Sequence, residues 1–355
     1  MSATHLFTPL KMRDVTLRNR IAVSPMCQYS CDDGFTNDWH LVHLGSRAVG
    51  GAGLVMVEAT AVEARGRISP SDSGIWKDEH IPSLARIAAF LREQGAVAGI
   101  QLAHAGRKAS VRRPWEGGGA IPEDSGGWQT VAPSPVPFQP EDPAPTELSK
   151  VEIRSMVAAF VAAAERAVQA GFQVVEIHAA HGYLIHQFLS PLSNRRTDEY
   201  GGSFDNRIRL ALEVVEAVRR AWPGNLPLFL RISATDWVEG GWTADESVNL
   251  AMRARDLGVD LVDCSSGGSS LQQKIPLEPG YQVPFADRIR REAGILTAAV
   301  GLITTPEQAD EIVRSGKADL VLLAREFLRD AYFPLHAAKK LGAEIKAPVQ
   351  YGRAW

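Results

Sequence analysis

Short apolar runs rich in β-branched residues recur along the chain, and segments with helical spacing lie between them. Such runs are typical of strands that are buried on both faces. The clearest helical segment is 150–170, where apolar residues recur at intervals of three and four, with a capping box of Ser149 and Glu152 ahead of it and Gly171 at its end. We predict strands at residues 20–24, 54–60, 96–102, 174–178, 228–233, 261–265, 296–300 and 320–324.

Eight such strands, each followed by a helical segment, predict an all-parallel sheet covered by helices. Eight repeats is the number that closes into a (β/α)8 barrel, and an open doubly wound sheet is the alternative. Residues 6–19 contain a turn between two short extended pieces, which indicates a hairpin on the barrel floor. The connection 103–149 is long and rich in glycine and proline, so we expect an excursion over the barrel mouth. We treat residues 1–355 as a single domain.

Composition narrows the class of protein. The chain has 355 residues, 45% of them hydrophobic and 22% charged, with a formal net charge of −3. No basic stripe is present, so we do not expect a nucleic-acid partner. No uncharged apolar run approaches the ~18 residues of a membrane span, and the first residues lack the apolar core of a signal peptide. We therefore expect a cytoplasmic protein that does not bind membranes.

Cysteine usage indicates reduced thiols rather than a disulfide framework. The chain has 3 cysteines, Cys27, Cys31 and Cys264, which is an odd number in a long chain. Cys27 and Cys31 are separated by four positions without a second pair, so a zinc site there is a weak interpretation.

The residues just after each predicted strand carry the candidate chemistry, because barrel active sites gather at the carboxyl ends of the strands. A single histidine at a strand end is often only a hydrogen-bonded structural residue, but many polar residues on one rim indicate a site. A metal site built from His178, His181 and either His186 or Glu176 lacks the HExxH pattern, and we assign no metal. The rim residues are Ser24, Pro25, Met26, Cys27, Tyr29, Glu58, Ala59, Thr60, Gln101, His104, His178, His181, Tyr183, Arg231, Ser265, Ser266, Gly267, Gly301 and Arg325.

The last two strands indicate a phosphate site. Gly301 lets the backbone approach a ligand ahead of a predicted helix that starts at Thr305, and Arg325 begins the next helix. Gln101 and Arg231 lie across the mouth, where they can hydrogen-bond an electron-accepting heterocycle.

Five motifs closely resemble the Old Yellow Enzymes, and among them the bacterial branch with a cysteine in the first-strand motif. The resemblance spans essentially the whole chain and implies a (β/α)8 barrel with non-covalent FMN, reduced by NADPH or NADH. It also implies reduction of the C=C bond of enones and related activated alkenes. The motifs are "SPMCQYS" (24–30), "IQLAHAGRKAS" (100–110), "EIHAAHGYLIHQFLSPLSNRRTDEYGGSFDNR" (176–207), "DCSSG" (263–267) and "APVQYGRAW" (347–355).

The resemblance also implies roles for individual residues. His178 and His181 match the pair that hydrogen-bonds the substrate carbonyl oxygen, which gains charge as hydride adds at the β-carbon. Tyr183 matches the proton donor to the α-carbon, and a phenol with an ordinary pKa of ~10 is protonated at neutral pH. Tyr29 matches an aromatic residue over the substrate, and Cys27 matches a thiol that tunes the flavin potential.

The cofactor-binding assignments follow the same resemblance. Gly301 and Arg325 match the phosphate grip, and Lys108 matches a position tied to cofactor contact, whereas we expect a structural role for Glu58. Ala324 stands where glycine is expected, and the stretch 111–130, which contains Trp115 and Trp128, is longer than in the most compact members. The residues that match the isoalloxazine lining are Ser24, Pro25, Met26, Ala59, Gln101 and Arg231.

The C-terminal segment "QYGRAW" implies an assembly. In this branch the residue that matches Arg353 enters the active site of the neighbouring subunit, so we expect a homodimer or homotetramer. Two other classes of protein remain alternatives at this point. One is a metal-dependent barrel lyase or hydrolase, and the other is a flavin-binding sensor or storage protein without turnover.

Overall fold

Residues 5–355 are described by a computed structural model. The strands are β1 (Leu10–Met12), β2 (Val15–Leu17), β3 (Ile21–Val23), β4 (Leu54–Ala61), β5 (Val97–Ala103), β6 (Val131–Ala132), β7 (Thr146–Glu147), β8 (Val174–Ala179), β9 (Leu228–Ser233), β10 (Leu261–Ser265), β11 (Leu296–Ala299) and β12 (Leu320–Leu323). The helices are α1 (Asp38–Val49), α2 (Ile81–Glu93), α3 (Lys150–Gln169), α4 (Leu184–Leu189), α5 (Phe204–Arg207), α6 (Arg209–Ala221), α7 (Ala244–Asp256), α8 (Val283–Ala293), α9 (Pro306–Arg314), α10 (Arg325–Arg329) and α11 (Phe333–Leu341).

Eight of the described strands form a closed parallel barrel in the order β3, β4, β5, β8, β9, β10, β11, β12, with β12 pairing back to β3. The predicted (β/α)8 barrel is confirmed, and the open doubly wound sheet is wrong. All eight predicted strand runs are present, with ends that differ by one residue at most. Their continuous apolar character follows from burial on both faces, by the barrel interior on one side and the helices on the other.

The predicted helix starts at Ser149 and Thr305 are also confirmed, and a third helix begins at a similar cap. Ser149 and Glu152 form a capping box at α3, and Thr243 and Glu246 form one at α7. Thr305 caps α9 by accepting a hydrogen bond from the backbone N–H of Gln308. Each cap satisfies backbone N–H groups that a helix start leaves without partners, so the chain turns into each helix at a defined residue.

The N-terminal hairpin closes one end of the barrel, as predicted. β1 pairs with β2 in antiparallel register, and apolar side chains of the hairpin pack on residues that point into the barrel. Those hairpin residues are Leu10, Met12, Val15 and Leu17. The barrel floor is therefore a packed apolar layer.

The interior changes from apolar to polar along the strands. Val174, Phe229 and Leu261 belong to the apolar layer, and the inward-facing residue two positions later is charged on each of these strands: Glu176, Arg231 and Asp263. Because successive inward positions differ by two residues, the sequence itself places this charged layer on the mouth side of the floor.

The excursion after β5 lies over the mouth. It contains short 3₁₀ turns and the two-residue parallel pair β6 and β7. Ala105 and Ala109 pack with Ile68 in a small cluster against Tyr29 and Tyr183. The excursion thus covers the rim residues from one side.

The two tryptophans of this excursion have different environments. The Trp128 indole N–H donates to the Arg65 carbonyl at 2.9 Å, which fixes the loop, whereas Trp115 is 63% exposed and meets Tyr29 edge to face at 5.9 Å.

Among the helices of residues 5–355, none combines the length and apolar character needed to cross a membrane.

Candidate active site

A tight turn after β8 presents the two histidines and the tyrosine. The Tyr183 N–H donates to the Ala180 carbonyl at 3.1 Å, and the two central residues, His181 and Gly182, have φ of +61° and +73°. A Cβ at Gly182 would lie 2.2 Å from the carbonyl oxygen of Gly268, so only glycine allows this approach of the two loops. The turn sets the direction of His181 and Tyr183 through the backbone.

The three predicted catalytic residues lie together at the mouth. The ring centroids of His178 and His181 are 5.1 Å apart, those of His178 and Tyr183 are 5.0 Å apart, and those of His181 and Tyr183 are 6.5 Å apart. His178 is buried, and the other two are half-buried. One small molecule can therefore contact all three side chains.

Burial fixes the charge states of these groups. It lowers the pKa of both imidazoles well below the ordinary value, and the positive charge of Arg231 acts in the same direction. Burial raises the pKa of the Tyr183 phenol well above the ordinary value. Neutral imidazoles and a protonated phenol all retain hydrogens to donate at neutral pH.

Backbone and side-chain partners restrict the two imidazoles. The Ala180 N–H donates to Nδ1 of His178 at 3.2 Å, so the hydrogen of this neutral ring is on Nε2. Nε2 of His181 lies 2.7 Å from Oγ of Ser265, and the His181 N–H donates to Oγ of Ser233 at 2.9 Å. Ser233 and Ser265 end β9 and β10, so two neighbouring strands hold this one residue.

His186 lies behind the turn and does not join the other two histidines as a ligand. Its Nδ1 accepts the Gly182 N–H at 2.8 Å, and its Nε2 lies 2.9 Å from Oδ1 of Asp236. Asp236 also accepts hydrogen bonds from Ser190 and from the N–H of Trp242. Both imidazole nitrogens are occupied by protein groups, so the role of His186 is to brace the turn.

Lys108 connects the excursion after β5 to residues 180–183, the turn that carries the predicted catalytic residues His181 and Tyr183 and is named the catalytic turn. Its Nζ donates to the carbonyls of His181 and Gly268 at 2.8 and 2.9 Å, and lies 4.4 and 5.2 Å from the ring centres of Phe138 and Tyr183. Burial, with help from Arg107, lowers the pKa of Lys108 to about 8. The sequence indicated this residue only by its place in a motif, because its backbone partners are remote in the chain.

The loop after β3 is held from below by Glu58. The carboxylate accepts the Gln28 N–H at 3.0 Å, as the expected structural role requires. Ser24 is buried at the end of β3, and Pro25, Met26, Cys27 and Tyr29 are half-buried on the mouth side. Burial, together with the charges of Asp72 and Glu58, raises the pKa of Cys27 well above the ordinary value. Cys27 is therefore a thiol rather than a thiolate.

Asp72 organises the segment that carries Ile68, and the sequence analysis missed it. Its carboxylate accepts hydrogen bonds from the N–H of Ile68 at 2.6 Å, the N–H of Ser69 at 3.1 Å and the Ser69 hydroxyl at 2.7 Å. Burial raises the pKa of Asp72 to about 6 in spite of these three donors. No local sequence signal marks a single aspartate in a serine-rich loop as a structural centre.

Cys31 belongs to a buried cluster with His40 and Glu58, and Cys27 is not part of it. The potential ligand atoms of the cluster lie within 4.8 Å of one another. Nδ1 of His40 lies 3.1 Å from the Asn37 N–H nitrogen and 3.2 Å from Oδ1 of Asn37, and Nε2 lies 3.3 Å from the Cys31 sulfur. These contacts explain the cluster as a hydrogen-bonded brace under the first loop, and we assign no metal to it.

Gln101 and Arg231 lie at the centre of the mouth. Both side chains are buried, and each has one nitrogen close to a carboxylate. Nε2 of Gln101 donates to Glu176 at 2.8 Å, and Nε of Arg231 lies 3.0 Å from Asp263. Across residues 5–355 the two terminal nitrogens of Arg231 make no hydrogen bond. Ala59 pairs in register with Gln101, after a bulge in β4.

The ends of β11 and β12 share one cavity of about 240 Å³. Gly301 has φ of +120°, and a Cβ there would lie 2.8 Å from Nε2 of Gln282. Arg325 is exposed on the opposite wall, next to Ala324. The predicted phosphate residues therefore lie together, with Ser265, Tyr281 and Thr304 among the other lining residues.

Arg353 lies on the outside of the molecule. The C-terminal segment packs on α11 of its own chain, with the rings of Tyr332 and Tyr351 6.1 Å apart and those of His336 and Trp355 5.1 Å apart. Arg353 is exposed and lines a shallow groove with these aromatic residues. Within one chain it is not part of the catalytic turn.

A mouth with neutral histidines, an unpaired guanidinium edge and an adjoining cavity fits a flavin-dependent (β/α)8 oxidoreductase. The chain belongs to the NADH:flavin oxidoreductase / NADH oxidase family, whose model matches residues 5–344. Over 354 residues it is 53% identical to the NADPH dehydrogenase of Geobacillus sp. (strain WCH70), and the match covers 99% of each chain. The predicted resemblance is confirmed: the protein is an FMN-dependent oxidoreductase of the Old Yellow Enzyme type.

Two solved structures share the fold. Morphinone reductase in complex with tetrahydroNAD is 27% identical with a TM-score of 0.79, and the match covers 97% of this chain and 92% of that one. A 2-naphthoyl-CoA reductase complex is 26% identical with a TM-score of 0.85, and 95% of this chain is covered. That second chain is longer, and the match spans 52% of it. The residues present fit FMN, because Arg231 offers two free donors at the mouth and Gly301 admits a ligand into the adjoining cavity.

Proposed function

We propose that the protein uses NADPH or NADH to reduce the C=C bond of α,β-unsaturated carbonyl compounds and related activated alkenes. The observation that carries this proposal is the group of two neutral imidazoles and one protonated phenol at the mouth of a flavin-binding barrel. A reaction that places negative charge on an oxygen and needs a proton nearby uses this combination of groups.

The residues around the mouth hold the cofactor in this proposal. Gly301 and Arg325 would hold the phosphate of FMN, and the donors of Gln101 and Arg231 would hydrogen-bond its ring system. When bound, FMN would supply the hydride transfer between the nicotinamide and the alkene carbon β to the carbonyl. The remaining lining residues are Ser24, Pro25, Met26, Cys27 and Ala59.

His178 and His181 bind the carbonyl oxygen. His178 donates from Nε2, because Nδ1 already accepts the Ala180 N–H. His181 donates from Nδ1 when the Ser265 hydroxyl donates to Nε2 across their 2.7 Å contact. Two neutral N–H donors stabilise the oxygen as it gains charge, and their burial strengthens the interaction.

Tyr183 supplies the proton to the α-carbon. Its raised pKa keeps the phenol protonated throughout the physiological range. Lys108, 5.2 Å from the ring centre, places positive charge near the phenolate that forms when the proton leaves. Tyr29, which packs in the same small cluster as Tyr183 and meets Trp115 edge to face at 5.9 Å, would contact the substrate beside the turn.

Cys27 modulates the cofactor rather than acting as a nucleophile. The thiol is kept protonated by burial and by two nearby carboxylates, so it lacks the thiolate character that nucleophilic catalysis requires. Replacement by alanine or serine is expected to shift the flavin potential and leave a working enzyme.

The protein acts as a homo-oligomer, a dimer or a tetramer, in which Arg353 enters the site of the neighbouring subunit. Two observations support this part of the proposal: Arg353 is exposed, and the residues on either side of it, Tyr351 and Trp355, pack on aromatic rings of their own chain. A two-fold arrangement would place each segment on the other subunit.

A single spectroscopic titration tests the function. Purified protein is expected to be yellow, to bleach on anaerobic addition of NADPH and to regain colour when an enone such as 2-cyclohexenone is added. A colourless protein inhibited by chelators would support the metal-dependent alternative. Yellow protein that NADPH does not bleach would support a sensor or storage protein.

A further inference from the structure

The charged layer of the barrel contains one guanidinium, that of Arg231, and two carboxyl groups, those of Glu176 and Asp263. Gln101, Glu176, Arg231 and Asp263 lie on four consecutive strands around the barrel, and their register places them side by side: Gln101 pairs with Glu176, and Arg231 pairs with Asp263. Glu176 and Asp263 have no exposed surface. The layer below them is apolar, so no solvent compensates the second acid.

The polar atoms of this layer are incompletely paired. Oε2 of Glu176 and Oδ1 of Asp263 have no hydrogen-bond partner among the described residues. Nε of Arg231 lies 3.0 Å from Oδ2 of Asp263, a close ion pair without hydrogen-bond alignment. One guanidinium can neutralise one carboxylate, and burying a second unpaired charge is strongly unfavourable.

The two acids differ in their neighbours, which decides where the extra proton resides. Asp263 adjoins the guanidinium and keeps its charge, whereas Glu176 adjoins the neutral amide of Gln101. Burial, and then the charge of Asp263, raises the pKa of Glu176 to about 8, although Arg231 and the hydrogen bond from Gln101 oppose that rise. Burial raises the pKa of Asp263 as well, but Arg231 opposes that rise.

We infer that Glu176 and Asp263 are positioning residues for the cofactor, and that Glu176 is a neutral carboxylic acid whose proton sets the reduction potential of bound FMN. Glu176 accepts a hydrogen bond from the amide nitrogen of Gln101. The amide oxygen and the second amide hydrogen of Gln101 are then available to the cofactor. Asp263 holds Arg231 by Nε, which leaves the two terminal nitrogens for the ring. This inference rests on the FMN site of the proposed function.

The expected pH dependence follows from charge. Reduction by NAD(P)H transfers two electrons and one proton to FMN, and the product anion near Arg231 favours the protonated form of Glu176. Below about pH 8 Glu176 already holds its proton, so one proton accompanies two electrons. Above that pH Glu176 takes a second proton from solvent, and the slope of the midpoint potential against pH doubles.

The other groups that face Glu176 do not produce this change. Gln101 on β5 has no titratable side chain, and burial holds His178, on the same strand as Glu176, neutral. Lys108 lies at the mouth, and because its pKa is lowered to about 8 it titrates in the same range. A variant of Lys108 is therefore a necessary control.

The test is a redox titration of the FMN-loaded protein from pH 6 to 9.5. The native protein is expected to show the doubled slope above about pH 8, and Lys108→Met is expected to retain it. Glu176→Gln is expected to give one constant slope, with the native potential at pH 6 and a higher potential than native at pH 9. Glu213→Gln, which removes a carboxyl from α6 bonded to Tyr200 outside the barrel, is the matched control and should behave as native.

Infrared difference spectra of the same samples give a second measurement. The carbonyl band of a protonated carboxylic acid should disappear above about pH 8 in the native protein and be missing from Glu176→Gln. A constant slope in the native protein would overturn the inference even if the variant failed to fold, and so would a doubled slope in Glu176→Gln. Failure of NADPH to reduce the flavin would instead contradict the proposed function.

Discussion

The turn after β8, which carries the predicted catalytic residues His181 and Tyr183, and the proposed phosphate cavity at the ends of β11 and β12 have different environments on the same rim. In the turn, His181 is held by Ser233, Ser265 and Lys108 within a few ångströms, and desolvation lowers the pKa of its imidazole well below the ordinary value. In the cavity, Arg325 is exposed. Proton transfer requires fixed geometry and controlled protonation, whereas anion binding requires charge and access.

This contrast separates the effects of substitutions. Changes in the turn should affect the rate of one half-reaction while the protein still holds FMN. Changes in the cavity should affect the affinity for FMN while the loaded enzyme still turns over. The following predictions test this separation, from the largest expected effect to the smallest.

The largest effect is expected for Tyr183→Phe. The substitution removes the proton donor and keeps the ring, so reoxidation of the flavin by an enone should slow by ~10²–10⁴-fold. Flavin reduction by NADPH should remain near the native rate, because that step needs no proton from the protein. Stopped-flow measurement of both half-reactions checks this. Equal slowing of the two would indicate that the phenol is structural.

Arg325→Ala should weaken FMN binding and leave chemistry intact. Loss of a charged hydrogen-bond donor to a phosphate costs ~1.5–3 kcal/mol, or ~10–100-fold in Kd. The matched control is Arg329→Ala, which removes a second cavity arginine that is already paired with Glu326 at 2.6 Å. Fluorescence titration of apoprotein with FMN gives Kd. A low turnover rate at saturating FMN would contradict the division between the two regions.

Ser265→Ala should disturb the catalytic turn without unfolding it. The serine directs the hydrogens of His181, so its loss removes control of the imidazole donor, and a hydrogen bond of ~1 kcal/mol corresponds to roughly fivefold slower enone reduction. Ser266→Ala is the control, because both serine hydroxyls reach Oε1 of Gln282, at 3.4 Å from Ser265 and 2.7 Å from Ser266, whereas the contact with His181 is made by Ser265. Similar losses in the two variants would show that the effect comes from the β10 loop rather than from His181.

The sequence predicted the scaffold better than the contacts that tune the site. Strand runs and helix caps depend on local patterns, and the carboxyl ends of parallel strands meet on one rim, so His178, His181, Tyr183, Gln101 and Arg231 could be predicted to lie there. Contacts between remote loops could not. The partners of Lys108, for example, are 73 and 160 positions away.

The roles of Glu176 and Asp263 in the charged layer also could not be predicted from local sequence patterns. Glu176 appeared in the sequence only as a possible metal ligand, and Asp263 appeared only within a motif. Their pairing depends on the register of four strands, and their pKa values depend on burial that no local pattern gives. Asp72 and Ser265 were missed as organising residues for the same reason.

The smallest effect on the chemical step is expected from removal of residues 351–355. These residues pack on α11 of their own chain and contribute no group to the catalytic turn of that chain, so a folded, FMN-loaded barrel should remain. If Arg353 completes the neighbouring site, truncation after Gln350 should raise the KM for enone and weaken subunit association, with little change in flavin reduction. Arg353→Ala alone separates the two effects, because it removes the guanidinium and keeps Tyr351 and Trp355 in place. It should raise the KM while the mass measured by light scattering stays that of the native oligomer. A truncated protein that is monomeric and has native KM would refute the role of Arg353 in a neighbouring subunit.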